Sequence, residues 1–316
     1  MQVTAPGGKS RDSLRLHFST HSVIATRRAS EGRGRHERLI LSRMGQDCDA
    51  VPMILGQRGA WYFQQDAGAR RLSQAVQPAT PEERLTLARK AIVGIFEVQR
   101  SANAAGLVED MPRLGATQDW IGAVIDKPAD LATAFRLVPP PLDRTALLRA
   151  LDPPQRCFVK WDCRAGNAAL DDDGHLRWFD FEYAGQRHGA EDFAWLIGDE
   201  VWPVAPRDMF DLISAIGADY GAGNEAYLDY LALYSAFHIV QRLSLIRSEV
   251  LSRGWLGMDR ILRKDDVGAS PLLAIRLCET GAWCAARHPL SAPLAPFFEA
   301  VGAVFAATMT APDGVK

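Results

Sequence analysis

The feature that most constrains this chain is a short segment, residues 157–183. Two β-prone runs flank the turn sequence Asp171-Asp172-Asp173-Gly174, a pattern typical of a β-hairpin. If the hairpin closes on that turn, Asn167 faces the end of the second run. Asp180 then lies diagonally close, because cross-strand neighbours are roughly 5–8 Å apart. Asp162 lies on the loop that enters the first strand. The pattern therefore predicts two carboxylates and one carboxamide at one end of a hairpin.

Two acids and an amide, with no cysteine or histidine cluster beside them, make a site of hard oxygen donors. Magnesium prefers such donors and usually combines one or two protein carboxylates with water and substrate phosphates. An acid that is not a metal ligand can orient a hydroxyl group or accept its proton. Phosphoryl transfer needs these parts. The spacing from Asp162 to Asn167 is weak evidence alone, but its combination with a hairpin and with Phe179-Asp180-Phe181-Glu182 is much more specific.

The first part of the chain is predicted to form a small antiparallel sheet with one inserted helix. Alternating or β-branched residues mark the strands, and apolar residues at helical spacing mark the helix. The predicted strands are residues 13–18, 23–27, 51–55 and 60–64, the last two joined by 56–59, and the predicted helix is 33–44. A short flexible loop, Gly7-Gly8-Lys9-Ser10, precedes them.

The remainder is predicted to be mainly helical. Thr80-Pro81-Glu82-Glu83 combines a capping threonine, a first-turn proline and the glutamate of a capping box, so a helix should begin there. A long helix should begin after Asn224 and end near Gly254. Its apolar residues run nearly all round, which is typical of a central core helix.

Composition excludes several classes of protein. The 316 residues carry a net charge of −2, so there is no positive excess to replace the counterions of a nucleic acid, and no nucleic-acid partner is expected. Apolar residues make up 47%, too many for a disordered chain. The five cysteines are scattered, which argues against a disulfide framework or a structural zinc site. No apolar run suits a signal peptide or a membrane span, so a cytoplasmic location without a membrane partner is expected.

The motifs resemble those of the aminoglycoside phosphotransferase and choline kinase family, whose fold is protein kinase-like. Asp162-Cys163-Arg164-Ala165-Gly166-Asn167 is similar to the catalytic loop, Asp-x-x-x-Gly-Asn. Residues 179–185 are similar to the metal-binding segment, and Asp192 to a later acid that braces the loop. Residues 61–73 resemble the hinge between lobes, and 7–10 a shortened nucleotide loop. The resemblance spans most of the chain, but only its central part, from Asp162 to Asp192, is specific.

The resemblance implies an α+β, protein kinase-like fold with two lobes. The nucleotide-binding lobe, residues 1–67, would be a small antiparallel sheet. The second lobe, residues 68–316, would be mainly helical and would carry the catalytic hairpin and the substrate site. The implied activity is that of a small-molecule kinase, which uses ATP and Mg²⁺ to phosphorylate a hydroxyl group. Family acceptors are aminoglycosides, choline, ethanolamine, homoserine and sugars; the sequence leaves open the acceptor, the choice between ATP and GTP, and the oligomeric state.

The resemblance also implies roles for individual residues. Asp162 would orient the acceptor hydroxyl and accept its proton, and Arg164 would touch the transferred phosphoryl group. Asn167 and Asp180 would hold Mg²⁺ on the nucleotide phosphates. The other implied residues contribute to nucleotide binding: Arg27 in place of the phosphate-binding lysine, Glu37 as the partner of Arg27, Gly7 and Gly8 in the nucleotide loop, and Gln64 and Asp66 at the hinge.

Three departures from the family pattern leave alternatives open. Lys160 stands where the family usually has a histidine that fixes the catalytic loop, Arg27 stands in place of a lysine, and the glycine loop is short. The first alternative is therefore a pseudokinase that binds nucleotide or a partner without turnover. The second is a helical binding module that binds no nucleotide.

Two acidic stretches also permit more than one interpretation. The turn at residues 171–174 has a calcium-loop pattern but lacks its later glutamate, so a solvated turn is the better interpretation. A group of acids follows Asp180 closely and would favour a cationic acceptor if it forms an acidic rim at the site; the alternative is that these acids face solvent. These acids are Glu182, Glu191, Asp192, Asp199 and Glu200.

Overall fold

The structure of the protein, a computed structural model, describes residues 2–6, 13–152 and 155–310. The chain divides into two units, the first made of Met1–Leu114 and Gln155–Asp192, the second of Gly115–Pro154 and Phe193–Lys316. The first unit thus contains both the N-terminal sheet and the predicted catalytic hairpin. The boundary at residue 67 between a nucleotide lobe and a substrate lobe stays a prediction.

The first unit is built on a five-stranded antiparallel sheet. Its strands are β1 (Gln2–Thr4), β2 (Ser13–His17), β3 (Ser22–Thr26), β4 (Ile54–Arg58) and β5 (Trp61–Gln65), in the spatial order β1-β2-β3-β5-β4. In the pairing of β3 with β5, Thr26 lies opposite Tyr62. The predicted N-terminal antiparallel sheet is therefore confirmed.

The strand predicted at residues 51–55 is wrong in its position. β4 continues through Gln57 and Arg58, which were predicted to lie in the connecting turn. This strand is at the edge of the sheet, where main-chain hydrogen bonds to one neighbour suffice and polar side chains are tolerated. Val51 is 1% exposed but precedes the strand. Its apolar character reflects burial of a loop residue, not strand formation.

Helices and short strands complete the first unit. Helix α1 (Glu31–Met44) contacts β4 and α3 (Pro81–Ala104), and α3 contacts the strands of the hairpin region. The remaining elements are β6 (Arg70–Arg71), α2 (Leu72–Ala75), β7 (Cys157–Val159), β8 (Ala168–Leu170), β9 (Leu176–Trp178) and β10 (Gly185–Arg187). β8 and β9 form the predicted hairpin, β8 also pairs with β6, and β7 pairs with β10. The capping box predicted at Thr80 is confirmed.

The hairpin is anchored on α3 by a tryptophan. Trp178 is fully buried, and its indole N–H donates to the Ala91 carbonyl at 3.3 Å. Gly94 makes this close approach possible, because a Cβ at that position would come within 3.0 Å of the indole nitrogen. Burial of so large an aromatic side chain fixes the hairpin against the helix.

The second unit is helical in its described residues. Its helices are α4 (Gln118–Phe135), α5 (Arg144–Ala150), the end of α6 (Ala190–Ile197), α7 (Pro206–Gly217), α8 (Glu225–Arg253), α9 (Met258–Lys264), α10 (Pro271–Ala285) and α11 (Leu294–Thr310). The predicted cap of α8 is confirmed, since the Asn224 side chain accepts from Tyr227 N–H at 3.0 Å and Gly254 ends the helix. α8 packs against α4 and α10, and α10 against α11. Among the described residues, no helix has both the length and the apolar character needed to cross a bilayer.

The acids that follow the metal-binding segment do not form an exposed acidic rim. Glu191 and Asp192 are 0% exposed, and Asp199 and Glu200 are 4% and 3% exposed. Two of them pair with buried arginines: Glu191 with Arg187 at 2.8 Å, and Glu200 with Arg242 at 2.8 Å. The expectation that these four acids would favour a cationic acceptor is therefore wrong, because their charges are buried.

Candidate active site

The hairpin brings Asp162 and Asn167 into direct contact. A 3₁₀ turn, Ala165–Asn167, leads from the Asp162 loop into β8. The side-chain nitrogen of Asn167 donates to Asp162 Oδ2 at 2.8 Å and to the Asp162 carbonyl at 3.0 Å. Across the hairpin, Phe179 N–H donates to the Asn167 carbonyl at 3.0 Å, and Asp180 is the next residue. The residues predicted to form one site thus share one end of the hairpin.

Three backbone positions at this end lie in the left-handed region. The φ angle is 60° at Trp161, 50° at Asp162 and 68° at Asp180. Such angles are unfavourable for residues other than glycine and persist only where the surroundings enforce them. Two buried side chains, Asp192 and Lys160, hydrogen-bond to the backbone at these positions.

Asp192 supports the loop through main-chain N–H groups. Its carboxylate accepts from Lys160 N–H at 3.0 Å, from Trp161 N–H at 2.8 Å and from the Gln99 side chain at 3.0 Å. Burial raises the pKa of the Asp192 carboxyl, whereas these hydrogen bonds act to lower it. Asp192 therefore contacts the loop that precedes Asp162, as the resemblance implied.

Lys160 connects the two halves of the site. Its side chain is 1% exposed, and its ammonium group donates to the carbonyl of Asp180 at 3.0 Å, of Asp162 at 3.4 Å and of Trp161 at 3.5 Å. The ammonium nitrogen also lies 5.2 Å from the ring centre of Phe181. A buried ammonium is costly unless it is hydrogen-bonded. Lys160 stands where the family usually has a histidine that fixes the loop, and it hydrogen-bonds to the same loop through the carbonyls of Trp161 and Asp162.

The buried glutamate of α1 pairs with Arg28. Glu37 is 0% exposed, and its Oε2 accepts from Arg28 Nε at 2.7 Å and from the Tyr62 hydroxyl at 2.6 Å. Its Oε1 accepts from the N–H of Phe181 at 3.1 Å. Glu37 therefore joins α1 to the end of β3, to β5 and to the segment that contains Asp180.

The predicted pairing of Glu37 with Arg27 is wrong by one residue. β3 ends at Thr26, and the alternation of sides that a strand imposes ends with it. Arg27 is exposed, and its guanidinium lies 5.3 Å from the ring centre of Trp61. No sequence signal distinguished the two consecutive arginines. Whether Arg27 binds phosphate stays a prediction.

Arg28 also contacts the predicted metal ligand. Its Nη2 lies 2.7 Å from Asp180 Oδ1, and its Nη1 lies 3.7 Å from a carboxylate oxygen of Glu182. Burial opposes the charge on Arg28, but the combined attraction of the neighbouring groups, with Glu37 and Asp180 foremost, outweighs burial and raises its pKa. The guanidinium of Arg28 therefore stays charged and forms an ion pair with the Asp180 carboxylate.

Arg164 binds the other acid of the site. Its Nε donates to Asp162 Oδ1 at 2.8 Å, and the two side chains are 16% and 19% exposed. Together with Asn167, Arg164 fixes both carboxylate oxygens of Asp162. The predicted contact of Arg164 with a phosphoryl group stays a prediction.

The residues predicted at the hinge are hydrogen-bonded within the first unit. Asp66 accepts from Arg15 Nη2 at 3.0 Å and from the Ser22 hydroxyl at 2.6 Å. Gln64 is 6% exposed and donates to the Thr26 hydroxyl at 3.3 Å. These side chains tie β5 and the residue that follows it to β2 and β3. Whether Gln64 and Asp66 bind a nucleotide stays a prediction. Gly7 and Gly8 lie outside the described residues.

The donors at the hairpin end fit a magnesium ion. Among the described contacts, the Asn167 side chain uses only its nitrogen, which leaves the amide oxygen as a donor. The Asp180 side chain is 27% exposed, so a ligand can reach it. Oxygen donors of this kind, with phosphate oxygens, are what Mg²⁺ prefers.

A second group of possible ligands lies in the hairpin turn. One ligand atom each of Asp171, Asp173 and His175 lies within 4.8 Å of the others. Asp171 already accepts from Arg177 Nη1 at 2.7 Å and from the N–H groups of Asp173 and His175. These contacts are those of a turn, in agreement with the solvated-turn interpretation.

Comparisons with known proteins give the fold. By sequence, the chain matches no protein-family model and no curated protein. Among solved structures, it is similar to a GDP complex of aminoglycoside 2'-phosphotransferase-IIIa, with a TM-score of 0.52 and 13% identity over 80% of this chain and 86% of that chain. It has the protein kinase-like fold.

Two further structures share the kinase-like fold. A gentamicin complex of APH(2")-IIa matches with a TM-score of 0.51 and 14% identity, over 79% of this chain and 86% of that one. A choline/ethanolamine kinase family protein from Mesorhizobium loti matches with a TM-score of 0.50 and 14% identity, over 96% and 93%. The predicted fold class, α+β with an antiparallel N-terminal sheet and a mainly helical remainder, is confirmed.

Proposed function

We propose that this kinase-like protein is a small-molecule kinase that transfers the terminal phosphoryl group of ATP to a hydroxyl group. The observation that carries the proposal is the contact of Asp162 with Asn167 on the hairpin that also carries Asp180. The similarity in fold to phosphotransferases supports it. The acceptor belongs to the class of small molecules with a hydroxyl group.

Asp162 is the proposed base. It orients the acceptor hydroxyl and accepts its proton as the new oxygen–phosphorus bond forms and the bond to the leaving diphosphate breaks. Asn167 and Arg164 hold its two carboxylate oxygens in fixed directions. A fixed base reduces the entropy lost in reaching the reactive geometry. Arg164 can also bind phosphoryl oxygens through two parallel hydrogen bonds.

Asn167 and Asp180 are the proposed ligands of Mg²⁺. When bound, Mg²⁺ neutralises the charge on the phosphates. Arg28, which lies 2.7 Å from Asp180, supplies further positive charge at this position. Lys160 and Asp192 are proposed to position the backbone of the two acids, since both hydrogen-bond to it and neither is exposed.

The second candidate function is a pseudokinase. Both acids of the site pair with arginines, Asp162 with Arg164 and Asp180 with Arg28. If these ion pairs persist when a nucleotide binds, neither carboxylate is available as base or metal ligand. The protein would then bind nucleotide or a partner without turnover.

Transfer of labelled phosphate from ATP to a panel of acceptors tests the proposal. The panel contains an aminoglycoside, choline, ethanolamine, homoserine and a sugar, each with Mg²⁺. We expect transfer to at least one acceptor, abolished in Asp162→Asn and retained in Asp172→Asn. Asp172 is the matched control because it is an exposed aspartate in the turn of the same hairpin.

Thermal unfolding with Mg²⁺ and ATP separates the alternatives. A ligand that binds the folded state raises the melting temperature. No transfer to any acceptor, with a raised melting temperature in wild type and in Asp162→Asn, would identify a pseudokinase. No transfer and no thermal shift would support the other alternative, a helical binding module that binds no nucleotide.

A further inference from the structure

A cavity of about 640 Å³ lies at one end of the N-terminal sheet, where β3 ends and β5 begins. The end of β3, one face of α1 and the β4–β5 turn line it. Its volume is within the range of small-molecule sites, roughly 300–1,000 Å³. Two glycines, Gly34 on α1 and Gly59 in the β4–β5 turn, are among its lining residues and place no side chain in it.

Arginines give this cavity its charge. Arg27, Arg28 and Arg38 line it together with one acid, Glu31. Glu31 pairs with Arg35 at 3.0 Å. Residues 27–38 include five arginines and two glutamates, a net charge of +3 in a chain whose total is −2. A concave surface with an excess of positive charge concentrates anions.

Two of these arginines keep their charge available for a ligand. Arg28 already contacts Glu37 and Asp180. Among the described residues, by contrast, no carboxylate pairs with Arg27 or Arg38. A guanidinium binds phosphate oxygens through two parallel hydrogen bonds. The shape and the charge of the cavity therefore suit a small phosphorylated molecule.

We infer that this cavity is a binding site for a small phosphate-bearing anion, separate from the nucleotide. Among the described residues, none that lines the cavity lies on the hairpin with Asn167 and Asp180, where the nucleotide phosphates are proposed to bind. Arg28 lines the cavity and also contacts Asp180, so an anion in the cavity is placed to influence the proposed active site. The inference on binding does not depend on the proposed function.

Calorimetric titration with pyrophosphate tests the site, with citrate and chloride at matched ionic strength as other anions. We expect saturable pyrophosphate binding that Arg38→Ala weakens by about tenfold, the loss of one charge-assisted pair. Arg43→Ala is the matched control: it removes the same charge from the same helix, but Arg43 pairs with Asp110 and does not line the cavity. We expect it to change affinity less than twofold.

A second variant tests the cavity independently, in case Arg38→Ala fails to fold. Ala60 is exposed at the β4–β5 turn and lines the cavity, so Ala60→Trp fills it without changing charge. It should also weaken pyrophosphate binding while the unfolding midpoint without anion stays that of wild type. Equal effects of Arg38→Ala and Arg43→Ala, equally tight citrate binding, or no binding would each overturn the inference.

Competition with a non-hydrolysable ATP analogue and Mg²⁺ decides whether the site is separate. We expect pyrophosphate still to bind when the analogue is saturating. If the analogue displaces pyrophosphate, the cavity belongs to the nucleotide site and the inference is wrong. If the analogue does not bind at all, the proposed kinase function fails, while the pyrophosphate result still decides the cavity.

Discussion

The two acids of the hairpin are held by arginines of very different origin. Asp162 pairs with Arg164, two residues along the chain, and Asp180 pairs with Arg28, 152 residues away. The first pair can form as soon as the loop forms. The second forms only when the end of β3, α1 and the hairpin pack together. The ion pair of Asp180 therefore depends on tertiary structure, whereas that of Asp162 depends mainly on local geometry.

The largest expected effect is a loss of catalytic rate at the Asp162–Arg164 pair, with little change in the free energy of unfolding. Asp162→Asn should lower kcat by about 10³-fold, because the proposed base is lost. The free energy of unfolding should change by less than about 1 kcal/mol, since the Asp162–Arg164 ion pair is partly exposed. Initial-rate kinetics and urea unfolding measure the two quantities. A similar loss of kcat in Asp172→Asn would contradict the assignment.

The distant pair should show the opposite balance. Arg28→Met leaves Glu37 buried without its cation, so the free energy of unfolding should fall by about 3–5 kcal/mol. Arg27→Met, at the neighbouring exposed position, should change it by less than about 0.5 kcal/mol. Urea unfolding of both variants measures the difference. Equal effects would mean that the pairing with Arg28 does not persist in solution.

Lys160 links the two acids and should have an intermediate effect. Lys160→Met removes the ammonium that donates to the carbonyls of Asp162 and Asp180, which should cost about 1.5–3 kcal/mol of unfolding free energy. Lys90 is a matched control, because it also donates to a carbonyl, that of Gly174, but is exposed. Lys90→Met should be nearly neutral. A neutral Lys160→Met would show that the ammonium does not support the loop.

The pH dependence of the free energy of unfolding tests the burial of His188 without changing Arg28 or Arg164. His188 precedes α6, which carries Asp192, and burial with the nearby charge of Arg187 lowers the pKa of His188 from 6.5 to about 4. Between these values the unfolded chain binds a proton that the folded protein does not. The free energy of unfolding should therefore fall as pH drops from 6.5 to about 4, by up to about 2 kcal/mol after allowance for partial exposure.

The matching variant is His188→Gln, which should flatten this pH dependence. Unfolding free energies of wild type and variant between pH 4 and 7 provide the comparison. Parallel curves would show that His188 is not buried in its neutral form.

Elements with local signals were predicted well. The capping box at Thr80 and the cap at Asn224 involve residues within one turn of each other, and both were confirmed. The hairpin followed from the turn at residues 171–174. Elements without such signals were misplaced: β4 was shifted, because an apolar loop residue and a polar edge strand reversed the usual pattern. The buried acids after the hairpin were expected to be exposed, because the sequence does not show their arginine partners.

The sequence by itself determined the hairpin and the order of its polar residues, since both depend on short spacings along the chain. The resemblance of these motifs to a known family implied the kinase-like fold. Only the tertiary structure decided that Arg28 contacts Glu37 and Asp180, that Lys160 is buried beneath both acids, and that arginines converge on a cavity beside α1. The physical reason is distance along the chain. Spacing fixes which residues of one turn or hairpin meet, whereas contacts between distant segments depend on how whole elements pack.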